Sequence, residues 1–363
     1  MAKLGEVCLL KAGKFVSAND ISPEYNKGLY PCFGGNGIRG YVADYTHDGE
    51  FPLIGRQGAL CGNVNLASGK FHATEHAVVV QPKIEMNVQW LYYALNAMNL
   101  GQYATGAAQP GLAVSKLETL SIEIPNISEQ NKIAQNLYKV EQLVSVRKQQ
   151  LAKLDELVKA RFVEMFGELH RTEYSIKTLD ALCEFIKDGT HQTPTYVDAT
   201  EGYKFLSSKD VTSGYIDWSS IKYISEELHQ ELYKRIAPQR GDILLAKNGT
   251  TGIPAIVETD ETFDIYVSLA LLRLKPNNNV RYIWSALRMP ETKAQFDNSL
   301  KGVGVPNLHL GEIKKTKIIV PPLSLQNQFA AFVERVGQQK QTVQQSLEKL
   351  KLMKKALMQE YFG

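Results

Sequence analysis

The sequence has little of what marks secreted, membrane or metal-binding proteins. It contains four cysteines in 363 residues, and none of them form a CxxC pair or a zinc-ligand spacing. No run of 18 apolar residues occurs, so no membrane span is predicted. The first residues lack the apolar core of a signal peptide. We therefore expect a cytoplasmic protein with free thiols.

A charge excess of one sign is also missing. Lys and Arg number 41 against 38 Asp and Glu, which leaves a net charge of +3. This balance does not attract the chain as a whole to a polyanion, so a nucleic-acid binder of this composition needs local basic patches. The length suits two domains with connecting segments better than one core.

Motifs for catalysis are largely absent. The chain has no GxxxxGK[ST] phosphate loop, no Asn/Asp-Pro-Pro-Tyr/Phe motif and no GxSxG turn. Gly35–Gly40 matches GxGxxG by letter, but Pro31 precedes it and an extended stretch, not a helix, follows it. We expect a glycine-rich turn that exposes Asn36 and Arg39. A methyl-donor or dinucleotide site is the alternative.

One pair of histidines has a spacing that could bind a metal. His72 and His76 are four residues apart, which would place both on one face of a helix. The residues between them do not form the HExxH arrangement, and Phe71 and Thr74 favour a strand. We expect no metal site here.

The most informative feature is an internal repeat. Residues 106–167 align without a gap with residues 302–363 and share 20 identities over 62 positions. The shared residues include a proline, a Ser-x-Gln-Asn motif and a closing Phe-Gly, at Pro125/Pro321, Ser128–Asn131/Ser324–Asn327 and Phe166-Gly167/Phe362-Gly363. Such a repeat predicts a domain, a long helix, a second domain and a second long helix. We place them at residues 1–124, 125–167, 168–321 and 322–363.

Apolar residues in both helical segments recur at alternating steps of three and four, which is the seam of a coiled coil. They are Ile133, Leu137, Val140, Val144, Leu151, Leu154 and Val158 in the first segment and Phe329, Val333, Val336, Val343, Leu347, Leu350 and Leu357 in the second. Arg147 interrupts the first seam, and Lys340 and Lys354 interrupt the second. Because both segments belong to one chain, we expect them to pair antiparallel within it. A dimerisation coiled coil is the alternative.

The expected helix ends carry suitable residues. Ser128 and Ser324 lie where an N-cap is expected, and Gly167 and Gly363 are suitable C-terminal stops.

The two domains read as diverged copies of each other, with strands and short helices mixed in each. Strands are predicted at Phe51–Ile54, Ala77–Val80, Asp242–Leu245 and Leu269–Leu274, and helices at Gln89–Ala97 and Arg281–Arg288. Pro52 restricts the first strand to a sheet edge. The predicted fold class is α+β, with two mixed α/β domains in tandem repeat, separated by two long antiparallel helices that form a coiled coil.

Arg56-Gln57-Gly58 and Lys247-Asn248-Gly249 occupy equivalent places in the two copies. Each joins a basic side chain to an amide side chain. Arg or Lys can bond guanine O6 and N7, and Gln or Asn can bond adenine N6 and N7. The alternative is a structural role, either as a solvated turn or as a pair that supports the domain.

The whole arrangement resembles the specificity (S) subunit of type I restriction–modification systems. The segments Pro125–Ala134 and Pro321–Ala330 resemble that family's entry into its central and distal helices. Tyr30–Val42, Asp188–Pro194 and Gly241–Gly249 resemble turns of its target recognition domains. The resemblance covers essentially the whole chain.

The resemblance implies a DNA-reading subunit without catalysis of its own. Each domain would read one half-site of an asymmetric, bipartite target in double-stranded DNA, and the helices would fix the unread spacer. The implied partners are two methyltransferase (M) subunits, which use S-adenosylmethionine to methylate adenine N6, and restriction/translocase (R) subunits, which use ATP with Mg. No cofactor is expected in this chain. The expected DNA-binding side chains are Asn36, Arg39, Arg56, Gln57, Thr190, His191, Gln192, Lys247, Asn248 and Thr250.

Two other functions remain open at this point. One is a coiled-coil adapter whose domains bind proteins. The other is a methyltransferase that uses the Gly35–Gly40 loop.

Overall fold

The computed structural model describes residues 1–106, 110–300 and 306–363. The chain divides into two compact units, one formed by Met1–Gln149 with Gln344–Gly363 and the other by Gln150–Val343. The division runs through both long helices, so each unit holds one α/β domain together with part of each helix. Gly302, which begins the second copy of the repeat, lies outside the described residues.

The first unit is built on two four-stranded sheets with the orders β2-β9-β6-β7 and β4-β3-β8-β5. Its strands are β1 (Ala2–Lys3), β2 (Cys8–Ala12), β3 (Tyr30–Gly34), β4 (Gly37–Val42), β5 (His47–Asp48), β6 (Phe51–Gly55), β7 (Val64–Ala67), β8 (Lys70–Ala73), β9 (Ala77–Pro82) and β10 (Ser121–Ile122). Its short helices are α1 (Leu4–Val7), α2 (Val88–Ala97) and α3 (Val114–Glu118), and the long helix α4 is Ile127–Phe166. Strands β3 and β8 are parallel, and the other neighbouring strands are antiparallel.

The second unit repeats this plan, with sheets in the orders β12-β19-β16-β17 and β13-β15-β14-β18. Its strands are β11 (Ser175–Thr178), β12 (Cys183–Asp188), β13 (Tyr196–Val197), β14 (Tyr203–Leu206), β15 (Lys222–Ile224), β16 (Ile243–Ala246), β17 (Pro254–Ile256), β18 (Phe263–Ile265), β19 (Leu269–Leu274) and β20 (Lys317–Val320). Its helices are α5 (Leu179–Leu182), α6 (Glu226–Arg235), α7 (Val280–Leu287), α8 (Pro290–Asn298) and α9 (Leu310–Lys315), and the long helix α10 is Leu323–Phe362. Both units keep a parallel pair in the second sheet, and each adds its own edge strand, β5 in one and β13 in the other.

The prediction that Pro52 restricts its strand to a sheet edge was wrong. Strand β6 pairs with β7 on one side and with β9 on the other. The ladder with β9 covers only Leu53–Gly55, so Pro52 lies beyond its end and needs no N–H on that side.

The predicted heptad seams are confirmed in both long helices. All the seam residues are buried or half-buried. Each residue that interrupts a seam has a partner on the facing helix: Arg147 Nε donates to Ser346 Oγ (3.2 Å), Lys354 Nζ to Glu141 Oε1 (2.6 Å) and Lys340 Nζ to Asp155 Oδ1 (2.6 Å). In each unit the residue numbers rise along one helix as they fall along the other, so the helix segments pair antiparallel.

The helix starts differ from the prediction. Helix α4 begins at Ile127, and the side chain of Asn126 caps it by accepting the N–H of Glu129 at 3.0 Å. Helix α10 begins directly after Pro322, whose fixed φ suits a helix start. Ser128 and Ser324 therefore lie inside the first turns and are not N-caps. The predicted stop at Gly167 is confirmed, since this residue has a φ of +75° directly after α4.

All four cysteines are free thiols. Burial raises the pKa of Cys8 to about 11 and that of Cys183 to about 12, so both remain protonated and poorly reactive near neutral pH. Among the described residues, no helix combines the length and the apolar character that crossing a bilayer requires.

Candidate nucleic-acid interface

The loop after β6 and the loop after β16 occupy the same place in their domains, as the sequence predicted. Two main-chain hydrogen bonds of 2.7–3.2 Å tie each loop to a Pro-x-Leu segment of the internal repeat. They are Leu112 N–H to Arg56 O and Gly58 N–H to Pro110 O in the first unit, and Leu308 N–H to Lys247 O and Gly249 N–H to Pro306 O in the second. The equivalence of the two loops therefore extends to individual bonds.

In the first domain this loop faces the turn between β3 and β4. A groove of about 570 Å³ lies between them, and its lining includes Asn36, Arg39, Gln57 and His76. Asn36 Oδ1 accepts a hydrogen bond from Asn63 Nδ2 at 2.9 Å, which fixes its orientation. Arg39 and Gln57 are exposed, and among the described residues their side chains have no hydrogen-bond partner. The structure thus brings three predicted site residues into one groove.

The structure does not support a dinucleotide or methyl-donor site at Gly35–Gly40, or a metal site at His72 and His76. Gly35–Gly40 forms a hairpin turn and the start of strand β4, so no helix N-terminus follows the glycines to hold a pyrophosphate. His72 lies in strand β8 with its Nε2 3.2 Å from the carbonyl oxygen of Lys14, and His76 Nε2 lies 3.1 Å from Glu75 Oε1. Among the described residues, the group that could hold a metal is Glu168, His170 and Glu291, far along the chain from these histidines.

A second pair of equivalent loops follows β2 and β12. Their main-chain bonds match: Gly13 N–H to Ala77 O and Lys14 N–H to Ala73 O in the first unit, and Gly189 N–H to Leu269 O and Thr190 N–H to Ile265 O in the second. A Cβ on either glycine would lie about 2 Å from a carbonyl oxygen of the facing strand, 2.1 Å at Gly13 and 1.9 Å at Gly189. Lys14, Phe15 and Val16 therefore correspond to Thr190, His191 and Gln192.

Sequence reasoning singled out the loop after β12 and missed the loop after β2. The reason is a β-bulge at Glu184, where the register shifts between Cys183 and Phe185. This extra residue moves the offset between the copies from 175 at Cys8 to 176 at Gly13. The signal that could have found the loop is the Lys-x-Gly shared by residues 11–13 and 187–189.

Lys247 occupies an interior position in the second domain. Its side chain is 7% exposed, and Nζ donates to Asp188 Oδ2 at 2.7 Å. The same carboxylate oxygen lies 3.5 Å from Nε2 of His191, and Arg235 donates to the Asp188 carbonyl oxygen at 2.7 Å. This buried ion pair favours the structural role for Lys247.

The described residues of the first domain contain no counterpart of this ion pair. By register, Ala12 stands where the second domain has Asp188, so no carboxylate faces the loop from β2. Arg56 is half-buried, and its Nε has no hydrogen-bond partner among the described residues. The two equivalent positions therefore differ in electrostatic environment.

The remaining candidates of the second domain fall into two groups. Thr190 is buried, and its Oγ1 accepts the N–H of Gln192 at 3.2 Å, which shapes the loop. Asn248 is half-buried and forms a β-bridge with Asn307. His191, Gln192 and Thr250 are exposed, so their side chains can reach a ligand.

The two domains that carry these loops match a known protein family. Residues 1–156 and 173–352 match the family model described as "Type I restriction modification DNA specificity domain". The chain belongs to this family. As a type I specificity subunit it is a DNA-recognition component and not an enzyme, and the predicted family and fold class are confirmed.

Individual relatives agree with this assignment. This chain is 52% identical over 143 residues to the type I restriction enzyme EcoprrI specificity subunit of Escherichia coli. The match covers 39% of this chain and 36% of that protein. A putative type I specificity subunit of Haemophilus influenzae is 25% identical over 323 residues, with 85% and 80% of the two chains covered. The crystal structure of the type I S subunit from M. genitalium has the same fold, with a TM-score of 0.61, 17% identity and coverage of 99% and 95%.

Proposed function

We propose that this specificity subunit reads an asymmetric, bipartite target in double-stranded DNA, with one half-site for each domain. The observation that carries the proposal is a pair of loops held at the same place by the same main-chain bonds but bearing different side chains, Gln57 in one domain and Asn248 in the other. Two domains that share a fold but carry different side chains on their exposed loops are suited to bind two different short DNA sequences.

The exposed side chains have the chemistry that base reading needs. In the first domain, Arg39 and Gln57 face one groove and keep their donors free among the described residues. Arg pairs with guanine and Gln with adenine in the major groove. In the second domain, His191, Gln192 and Thr250 take this role, because Lys247 is engaged by Asp188.

The long helices would set the distance between the half-sites. Helices α4 and α10 have 40 residues each, which corresponds to a length of about 60 Å. Their seams are continuous apart from Arg147, Lys340 and Lys354, and those three side chains have polar partners on the facing helix. We propose that the length of this helical pair fixes the unread spacer.

The same helices would dock the catalytic partners. In the first unit, Leu143 and Val146 of α4 and Leu352 and Met353 of α10 are large apolar side chains exposed to water. Exposed apolar residues on a helix pair suit protein docking. We propose that two methyltransferase subunits, carrying S-adenosylmethionine, and restriction subunits, using ATP with Mg, assemble on this chain in the cytoplasm. The chain itself would hold no cofactor.

The test is the methylation pattern of DNA from cells that carry the assembled complex. Single-molecule sequencing should find methylated adenines at an asymmetric site of two short motifs separated by a fixed gap. A continuous or palindromic site would contradict the proposal. As a control, the purified chain alone with DNA and S-adenosylmethionine should transfer no methyl group, and robust turnover by that preparation would show an enzyme instead.

A further inference from the structure

Phe15 is a large apolar side chain on the loop after β2, and it is 75% exposed. Single exposed apolar residues are common on soluble proteins, so exposure alone assigns it no role. Its position in the domain is more informative.

The loop that carries Phe15 lies at the same sheet end as the candidate groove. Its neighbour Lys14 donates its main-chain N–H to Ala73 O at 2.8 Å, just before the turn that contains His76. His76 O in turn accepts the N–H of Arg56 at 3.0 Å, and its side chain lines the groove with Gln57. The loop that carries Phe15 and the loop that begins at Arg56 are therefore both bonded to the same segment, residues 73–77.

Phe15 also has a counterpart in the second domain. The matched hydrogen bonds of Gly13 and Gly189 place it at the position of His191. His191 is likewise exposed, at 70% of its side chain. The same position thus carries an apolar ring in one domain and an imidazole in the other.

A basic neighbour completes the arrangement. Lys14 is exposed, and among the described residues its ammonium has no ion-pair partner. A lysine beside an exposed aromatic ring combines a phosphate contact with an apolar contact to a base.

We propose that Phe15 contacts a base of the first half-site and is a specificity-determining residue of the first domain. Its ring would rest on a thymine methyl group or enter a base step as an apolar wedge. This inference rests on the proposed function. It assigns the loop after β2, together with the groove, to the recognition surface.

The test compares Phe15→Ala with Ile84→Ala in the full chain assembled with methyltransferase subunits. Ile84 is an exposed apolar residue just after β9, beyond the other end of the β2–β9 ladder, where Cys8 pairs with Pro82. Each complex is bound to duplexes in which both half-sites are randomised, and the selected sequences and affinities are measured. Circular dichroism checks that both variants are folded.

We expect Phe15→Ala to lose roughly tenfold affinity for the parental target and to relax at least one position of the first half-site, with the second half-site unchanged. Ile84→Ala should keep the parental affinity and sequence. Replacing thymine by deoxyuracil at the relaxed position distinguishes the two kinds of contact. A contact with the thymine methyl group would be lost both in Phe15→Ala and on the deoxyuracil duplex, whereas a wedge between bases would be lost only in Phe15→Ala.

Two outcomes would overturn the inference. Either Phe15→Ala retains the parental preference at every position, or it weakens binding equally on all sequences. If the parental complex itself shows no bipartite preference, the proposed function fails, and this result is distinguishable from failure of the Phe15 assignment.

Discussion

Gln130 of α4 holds the N-terminus of α2 through Asn87. Gln130 Oε1 accepts the N–H of Asn87 at 2.9 Å, and its amide group donates to the carbonyl oxygen of Pro125 at 2.8 Å. Asn87 in turn caps α2 by accepting the N–H of Trp90 at 2.9 Å. The second domain has the same clamp between Gln326, Asn279 and Pro321, with bonds of 2.9 Å. The Gln-Asn motif of the repeat is thus a structural joint between a domain and its long helix.

Replacing Gln130 by Ala should destabilise the first unit by about 3 kcal/mol. Gln130 is 2% exposed, so loss of its side chain leaves the half-buried N–H of Asn87 and carbonyl of Pro125 without partners. Urea unfolding, followed with a probe on each unit, measures the change. Gln135→Ala, on the exposed face of the same helix, should stay within about 0.5 kcal/mol. Equal effects of the two variants would refute the clamp.

Asp188→Ala should destabilise the second unit by roughly 3–5 kcal/mol, because it leaves the buried ammonium of Lys247 unpaired. Asp260→Ala is the matched control. It removes a carboxylate that pairs with Arg240 at 2.7 Å, but both side chains are largely exposed, so the loss of stability should be much smaller than at Asp188. Thermal or urea unfolding distinguishes them. A small effect at Asp188 would mean that Lys247 is not held as described and is available to DNA.

Gln57→Ala should relax the first half-site and leave the second unchanged. A good base contact contributes roughly 1–3 kcal/mol of discrimination. Gln57 is exposed on a loop held by main-chain bonds, so the fold should tolerate the change. Binding of the assembled complex to duplexes with single-base changes measures the effect. A uniform loss on every duplex would indicate a phosphate contact.

Seven-residue insertions in both long helices should lengthen the recognised spacer by about three base pairs. Seven residues add about 10 Å to a helix, and a base-pair step is about 3.4 Å. Placing both insertions at the level of the Arg147–Ser346 bond keeps the seam in phase. Methylation sequencing then compares the gap and the half-sites. A folded, active variant that kept the parental gap would show that another element measures the distance.

Lowering the pH from 6.5 to 4 should stabilise the parental chain relative to Asp264→Asn, by on the order of 2 kcal/mol. Asp264 is buried beside His229, at 2.6 Å from Nδ1. Burial raises the pKa of Asp264 to about 6, although His229 opposes the shift. An unfolded aspartate has a pKa near 4. Between pH 4 and pH 6 the folded protein therefore binds a proton that the unfolded chain does not. Above pH 6 the ionised, buried carboxylate destabilises the folded protein.

Urea unfolding across this pH range gives the difference between the parental chain and Asp264→Asn. Asp198→Asn, at an exposed carboxylate in the same unit, serves as the control. A flat difference for Asp264→Asn would contradict the raised pKa.

The features that the sequence predicted well are those whose signal is local. The heptad spacing places apolar residues on one helix face without reference to any other segment, so the seams followed from the sequence. The helix starts did not, because Asn126 and Ser128 are both good capping residues and only the backbone decides between them. The burial of Lys247 depends on Asp188, 59 residues away, and no local pattern reveals that pair.

The loops after β6 and β16 are held in place by main-chain hydrogen bonds. The bonds from Pro110–Leu112 and Pro306–Leu308 reach carbonyl and amide groups that every amino acid other than proline supplies in full. An exposed side chain such as Gln57 can therefore change without moving the loop that carries it. Under the proposed function, a few point substitutions in these loops would give a new DNA target while the fold stays intact.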